Sequence, residues 1–318
     1  MRCASFIAAW LVAGALSLPQ DVVAFDKLAS SAVAHYIMGV IYDDTGEPDK
    51  AIDEYLKALK TDNDVSTIHV DLATSYIKKN DITGAQRELD LASSLDPEAI
   101  KPHAILALLY SLENKLEQAK KEYETALKNA SRKQPANLDI YRSLAAFYLQ
   151  TRNFSEAQEI YRIILEKSPN DAQAYFYLGS IFNELKDFPQ AERELKRSIE
   201  LKPDYAEAMN FLGYIYVEKN KDLRRAEAMI KKAVEIEPDN GAYIDSLGWC
   251  YYKLGAYKDA LEQLKRAAAL IEDPVVLDHL GDTYLLLKDN ANAQESWQKS
   301  LRLNPLQEKV KEKILKLK

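Results

Sequence analysis

The sequence predicts an all-α solenoid of antiparallel helix pairs, on three observations. A motif of apolar and aromatic residues around a glycine recurs about every 34 residues. The aromatic content is skewed to one type, with 19 Tyr against 8 Phe and 3 Trp, as if a single slot were refilled many times. Apolar residues make up 47% of the chain and charged residues 29%, a balance that is globular and neither disordered nor fibrous.

The motif Tyr175-x-x-Leu178-Gly179-x-x-Phe182 returns as Met209-x-x-Leu212-Gly213-x-x-Tyr216, Ile244-x-x-Leu247-Gly248-x-x-Tyr251 and Leu277-x-x-Leu280-Gly281-x-x-Tyr284. Nine residues past the aromatic stands an Ala (Ala191, Ala260, Ala293), with Ala226 one residue later. Pro97, Pro169, Pro203, Pro238 and Pro305 then close units. Each slot has a physical reason. Gly at the eighth position and Ala at the twentieth remove side chains where two helices approach closely. The aromatic at the eleventh fills the gap between a unit's own helices and the next unit. The Pro cannot continue a helix and pre-sets the exit turn. Eight units fit: 32–65, 66–99, 100–133, 138–171, 172–205, 206–240, 241–273 and 274–307. Ala73, Ala107 and Ala145 replace the Gly in the second to fourth.

This pattern resembles the tetratricopeptide repeat over about 32–307. The resemblance implies a right-handed superhelix. Gln134-Pro135-Ala136-Asn137 are inserted after the third unit, and four residues are about one helical turn, so the preceding helix is expected to run long and the array to bend there. The expected organisation is an N-terminal cap with units 1–3 in 25–133 and units 4–8 in 138–307. Residues 306–318 put Leu306, Val310, Ile314 and Leu317 on one face, so a capping helix ends in 308–318.

Residues 1–24 read as a signal peptide. A basic start, Met1-Arg2, precedes the apolar run Cys3 to Leu18, and Val22-Val23-Ala24 ends in small residues. The run is shorter than the ~20 residues of a spanning helix. Cleavage after Ala24 leaves an extracytoplasmic protein, periplasmic or secreted. No Cys follows the run, so lipid attachment there is not expected, and membrane association is left open.

The chain carries 49 acidic and 42 basic residues, a net charge of -7. No basic stripe is present, which argues against nucleic acid. Cys250, at a helix-interior position, reads as a small buried hydrophobe. His35, His69 and His103 lie 34 residues apart, each fourth in its unit. Neighbouring helices sit roughly 8–10 Å apart, too far for one ion with bonds near 2 Å to reach all three. No metal and no cofactor are expected. No phosphate loop, nucleophile elbow or paired-Cys motif occurs, and an open groove lacks the closed pocket that catalytic carboxylates need. The chain is expected not to be an enzyme.

The resemblance implies that positions 2, 5, 9 and 12 of each first helix face a concave groove. On that basis the candidate binding residues are Phe176, Asn183, Asn210, Tyr214, Asp245, Trp249, Tyr252, Asp278 and Asp282. Asn can hydrogen-bond a peptide backbone, aromatics supply anchors, and carboxylates draw basic groups. The implied partner is a protein or peptide with basic and apolar residues. No unit has the Lys at position 5 with Asn at position 9 by which heat-shock co-chaperones hold a C-terminal carboxylate. The runs Asp245-Ser246-Leu247-Gly248-Trp249 and Leu277-Asp278-His279-Leu280-Gly281-Asp282 resemble bacterial envelope tetratricopeptide proteins. This implies a non-catalytic scaffold or adaptor in the cell envelope. The alternatives are a self-assembling structural component and an accessory factor in polysaccharide export.

Overall fold

The structure, a computed structural model, describes residues 30–134 and 136–317. The leader at 1–24, and the export it implies, lie outside the described residues, as does Pro135 of the insertion. The described residues form 17 helices and no strand. Eight hairpins pair α1 (Ser30–Asp44) with α2 (Pro48–Thr61), α3 (Ser66–Lys78) with α4 (Ile82–Leu95), α5 (Lys101–Leu112) with α6 (Leu116–Lys133), and α7 (Asp139–Gln150) with α8 (Phe154–Lys167). The series continues with α9 (Ala172–Glu184) and α10 (Phe188–Leu201), α11 (Ala206–Glu218) and α12 (Leu223–Ile236), α13 (Gly241–Lys253) and α14 (Tyr257–Leu270), and α15 (Pro274–Leu286) and α16 (Asn290–Leu303). A last helix, α17 (Glu308–Leu317), follows. Two compact units divide at Pro169 and Asn170, so each holds four hairpins. Among the described residues no helix is long and apolar enough to cross a membrane.

The small-residue slots hold the hairpins closed. Every position-20 alanine, from Ala51 to Ala293, is completely buried. A Cβ on Gly179 would stand 2.6 Å from Leu195 Cγ and 3.2 Å from the Ala191 carbonyl oxygen, and one on Gly213 would stand 2.6 Å from Ile230 Cγ1. Ala73, Ala107 and Ala145 fill the same slot at 0% exposure, so their partner helices make room for a methyl. The position-11 aromatic fills the gap expected of it where Tyr284 packs on its own second helix and on α17, and in two other repeats it also has a polar partner. The Tyr216 hydroxyl donates to Glu192 at 2.7 Å and that of Tyr148 to Glu124 at 3.2 Å, both in the preceding repeat. The hydroxyls of these two thus reach backward along the array.

Helix ends follow local chemistry. Asp81, Asp187, Asp222 and Asp289 each accept from a backbone amide three residues on and cap the second helix of a hairpin. The turn between helices uses a left-handed residue at position 15 in all eight hairpins: Gly46, Asn80, Asn114, Arg152, Lys186, Asn220, Gly255 and Lys288. Gly takes this conformation freely and Asn tolerates it, while Arg and Lys are held there at some cost. The closing prolines each fall two residues beyond a helix end. The insertion has its expected local effect, since α6 runs 18 residues where the other second helices run 14.

At the end of the second unit α17 buries Val310 against Ala293 and Trp297, with Tyr284, Leu301, Ile314 and Leu317 around them. Leu306, counted with this face in the sequence, is instead 84% exposed because it precedes the helix.

Candidate protein-binding face

The candidate residues all lie on the first helices of the second unit, α9, α11, α13 and α15. Their surroundings are set by a rule of the repeat. The side chain at position 5 of one repeat meets that at position 6 of the next, because both project into the seam between successive first helices. Tyr36 donates to Asp71 at 2.8 Å by this rule, and Phe176 meets the Phe211 ring edge-on at 5.9 Å. Asp245 accepts from His279 Nδ1 at 3.0 Å, and Asp278 from Lys313 of α17 at 2.6 Å.

This rule places most of the candidates in the seams. Phe176 is 5% exposed and also packs on Tyr177 and Tyr205. Asp245 is buried with His279. Trp249 is 8% exposed, stacks on His279 with ring centroids 4.0 Å apart and on Tyr252 at 4.4 Å, and donates to Glu218 at 2.8 Å. The Lys253 ammonium stands 4.7 Å over the same indole. Asp282 accepts from Lys313 at 2.8 Å and from the Trp297 indole at 3.2 Å. Burial holds the Asp282 carboxyl above its ordinary range, with the Asp278 charge adding to this against the pull of Lys313 and Trp297. The carboxylates and the indole in repeats seven and eight are thus engaged by groups of this chain.

Asn183, Asn210, Tyr214 and Tyr252 stay half-buried on the face, as do Asp278 and Asp282 beneath Lys313. The Asn210 position is distinctive. It occupies position 5, but its position-6 neighbour Ser246 turns its hydroxyl to its own helix, donating to the Ala242 carbonyl at 3.0 Å. Asn210 Oδ1 is therefore buried without a hydrogen-bond partner. One turn further, Tyr214 lies on the core formed by Leu212, Ile215 and Trp249, and burial, then the Glu218 and Asp245 charges, raise its hydroxyl pKa.

The sequence reading missed His279, Glu218, Lys253 and Lys313. The signal was present for two of them: His279 follows Asp245 by 34 residues and Lys313 follows Asp278 by 35. The three regularly spaced histidines do have partners. Nδ1 of His35, His69 and His103 bonds Glu54, Glu88 and Glu122 at 2.6, 2.8 and 2.6 Å, always within one hairpin. Among the described residues no group of His, Cys, Asp and Glu is arranged to hold a metal ion. Cys250 is fully buried, and burial pushes its thiol up to about 11.

Stacked hairpins closed by small residues, with first helices presenting polar and aromatic side chains, define an α-helical repeat protein. Residues 11–209, more than half of the chain, match the family model described as the cilia and flagella-associated protein 70 C-terminal domain. Residues 182–247 and 276–305 each match a tetratricopeptide-repeat model. The chain belongs to this family of tetratricopeptide-repeat proteins. Over 96 residues it is 31% identical to an uncharacterized protein of Haemophilus influenzae, a match covering 30% of this chain and 51% of that one. The chain thus spans about half the length of that curated relative. Among solved structures, a tetratricopeptide repeat protein from Parabacteroides merdae superposes with a TM-score of 0.62 at 18% identity, over 79% of this chain and 98% of that one. The Cut9–Hcn1 hetero-tetramer of APC/C gives a TM-score of 0.61 at 19% identity, over 85% and 52% of the two chains. These identities make both likenesses of fold alone. The family is typically one of non-catalytic scaffolds that bind proteins.

Proposed function

We propose that this chain is a non-catalytic adaptor of the bacterial cell envelope that holds an extended protein segment on the first-helix face of repeats five to eight. The observation that carries the reading is the amide of Asn210, half-buried on the face with an Oδ1 that has no hydrogen-bond partner. A buried amide oxygen without a partner is costly to leave so, and a rotation of this half-buried side chain would let a main-chain N–H of a partner satisfy it. Tyr214, one turn on along α11, and Tyr252 on α13 offer half-buried aromatic surface for an apolar side chain. Asp245, Asp278 and Asp282 contribute indirectly, since His279 and Lys313 already occupy them. The apolar leader and the resemblance to envelope proteins support the location.

A photo-crosslinking residue at Tyr214 tests this in the native host, with Arg224 on α12 as the control position. The expected result is one protein adduct at 214 that Asn210→Ala weakens, and none at 224. Equal adducts at both positions, or none at 214, would overturn the assignment of the face. Recovery of the full chain from the cytoplasm with its leader intact would overturn the location.

A further inference from the structure

In the described residues the first repeat is built as an internal one. Within each unit, the side chains at positions 3, 6, 7 and 10 of a later repeat's first helix pack toward the preceding repeat. In repeat two these are Ile68, Asp71, Leu72 and Ser75, all buried. The same positions on α1 are Ala34, Ile37, Met38 and Ile41, and all four are exposed, the last three at 44, 38 and 46%. A terminal repeat ordinarily turns a polar face outward, as α17 does with its lysines and glutamates at the other end. This one turns out a continuous apolar stripe.

The upstream sequence does not supply the missing hairpin partner in register. Thirty-four residues before α2 (48 to 61) lie residues 14–27. There Ser17 stands at the slot that is Ala in all eight hairpins, Asp21 stands where they carry a large apolar residue such as Tyr55 or Trp297, and Pro19 lies in the interior.

We infer that the stripe on α1 is a homodimer surface, packing antiparallel against α1 of a second copy. The stripe is self-complementary about a two-fold axis between positions 37 and 38. In that register Ile37 faces Met38, and the small Ala34 faces the larger Ile41. Exposed Asp44 falls beside Ser31 in the first turn of the other helix, where the backbone amides favour a carboxylate. Such a pairing is isologous and closes at two copies. The stripe is four side chains on one helix, fewer than the roughly 20–30 residues a side of a standard interface, so the dimer is expected to be weak and concentration-dependent. This surface is separate from the face around Asn210 and stands without that reading.

The test uses the full chain purified from cells in a Cys3→Ser background, its N-terminus read by mass spectrometry. Light scattering across concentration reports the dimer, and single cysteines report its register. Ile37→Cys, next to the axis, is expected to form a disulfide-linked dimer under mild oxidation. Ala34→Cys alone is expected not to, because the two copies of residue 34 are about 10 Å apart along the helices. A mixture of Ala34→Cys with Ile41→Cys is expected to crosslink. Ile41→Asp, at an exposed position, should weaken dimerisation at least about tenfold while the far-UV spectrum is unchanged. Crosslinking of 34 to 34 as readily as 34 to 41, or a dimer indifferent to Ile41→Asp, overturns the inference. So does a monomer at every concentration. In that case a thiol of the Ile37→Cys variant shielded from maleimide means that the chain's own N-terminal segment covers the stripe, and a reactive one means that the stripe serves another protein.

Discussion

Repeats one to three and repeats seven to eight both pair a histidine with a carboxylate, but they fasten different things. His35, His69 and His103 sit at position 4 and bond a glutamate 19 residues on, so each closes its own hairpin. His279 sits at position 6 and bonds Asp245, 34 residues back, so it joins two hairpins. In a repeat array stability is the sum of what each unit holds by itself and what it shares with its neighbours. The first kind of pair adds to the former and the second to the latter. The same two functional groups therefore have different consequences when lost: a loosened hairpin in one region, a parted seam in the other.

The contrast can be broken most forcefully at Trp297. This residue is completely buried, packs α16 against α17 through Val310, and donates to Asp282 on α15. Trp297→Ala should cost about 3–5 kcal/mol and free α17, so that urea unfolding gains an early phase and trypsin cuts near Lys309. If the variant loses less than about 1 kcal/mol and α17 stays protected, the last seams are not the shared structure described above.

A double-mutant cycle sharpens it further. Asp245 and His279 have side chains 11% and 8% exposed, so removing either leaves a buried polar group unmatched, at about 1–3 kcal/mol. His35 is 40% exposed against Glu54, and a pair so open to water is worth about 0–1 kcal/mol. Coupling should therefore be measurable between Asp245→Ala and His279→Ala and weak between His35→Ala and Glu54→Ala. Trp249, stacked on His279, gives an independent optical readout, since its near-ultraviolet signal should change only in the first cycle. Equal coupling in the two cycles would mean that hairpin and seam pairs do the same work.

The architecture was readable because a repeat states each packing rule eight times. Gly179, Gly213 and the position-20 alanines mark close approach by what they lack, and a single occurrence would have been ambiguous. The candidate face was harder to read for a related reason. Within a single repeat, positions 5 and 9 are residues on a helix surface. The partners of both lie at position 6 of the next repeat, so Asp245 and Asp278 look like free carboxylates unless His279 and Lys313 are considered with them. Asn210 stands out only because Ser246, its neighbour by the same rule, bonds elsewhere. The left-handed turn at position 15 was half visible: Gly46, Asn80, Asn114, Asn220 and Gly255 carry the period, while Arg152, Lys186 and Lys288 conceal it because the surrounding hairpin imposes a conformation their own chemistry disfavours.

The finest distinction lies within the first region, at His69. Its side chain is 8% exposed, as is that of Glu88, while Arg87 holds the second glutamate oxygen at 3.0 Å. Burial of the ring opposes its charge, but the bonds to Glu88 and to the Asn63 carbonyl outweigh it and raise the pKa above the ordinary value. For Glu88 burial likewise opposes the charge, and His69 and Arg87 outweigh it, so its pKa is lowered. The signs then follow from proton linkage. The native state holds the His69 proton more tightly than the unfolded chain does. Its contribution is complete below the unfolded value of about 6.5 and is lost as pH rises through the higher folded value. Glu88 contributes fully above its unfolded value of about 4.3 and loses that contribution as pH falls through the lower folded one. The pair is thus strongest between the two unfolded values. The difference in melting temperature between the wild type and His69→Gln should be largest near pH 5.5 and shrink steadily above about pH 6.5. A difference that instead grew with pH would show that burial, not Glu88, governs this histidine, and the hairpin pairs would then be neutral contacts packed for shape.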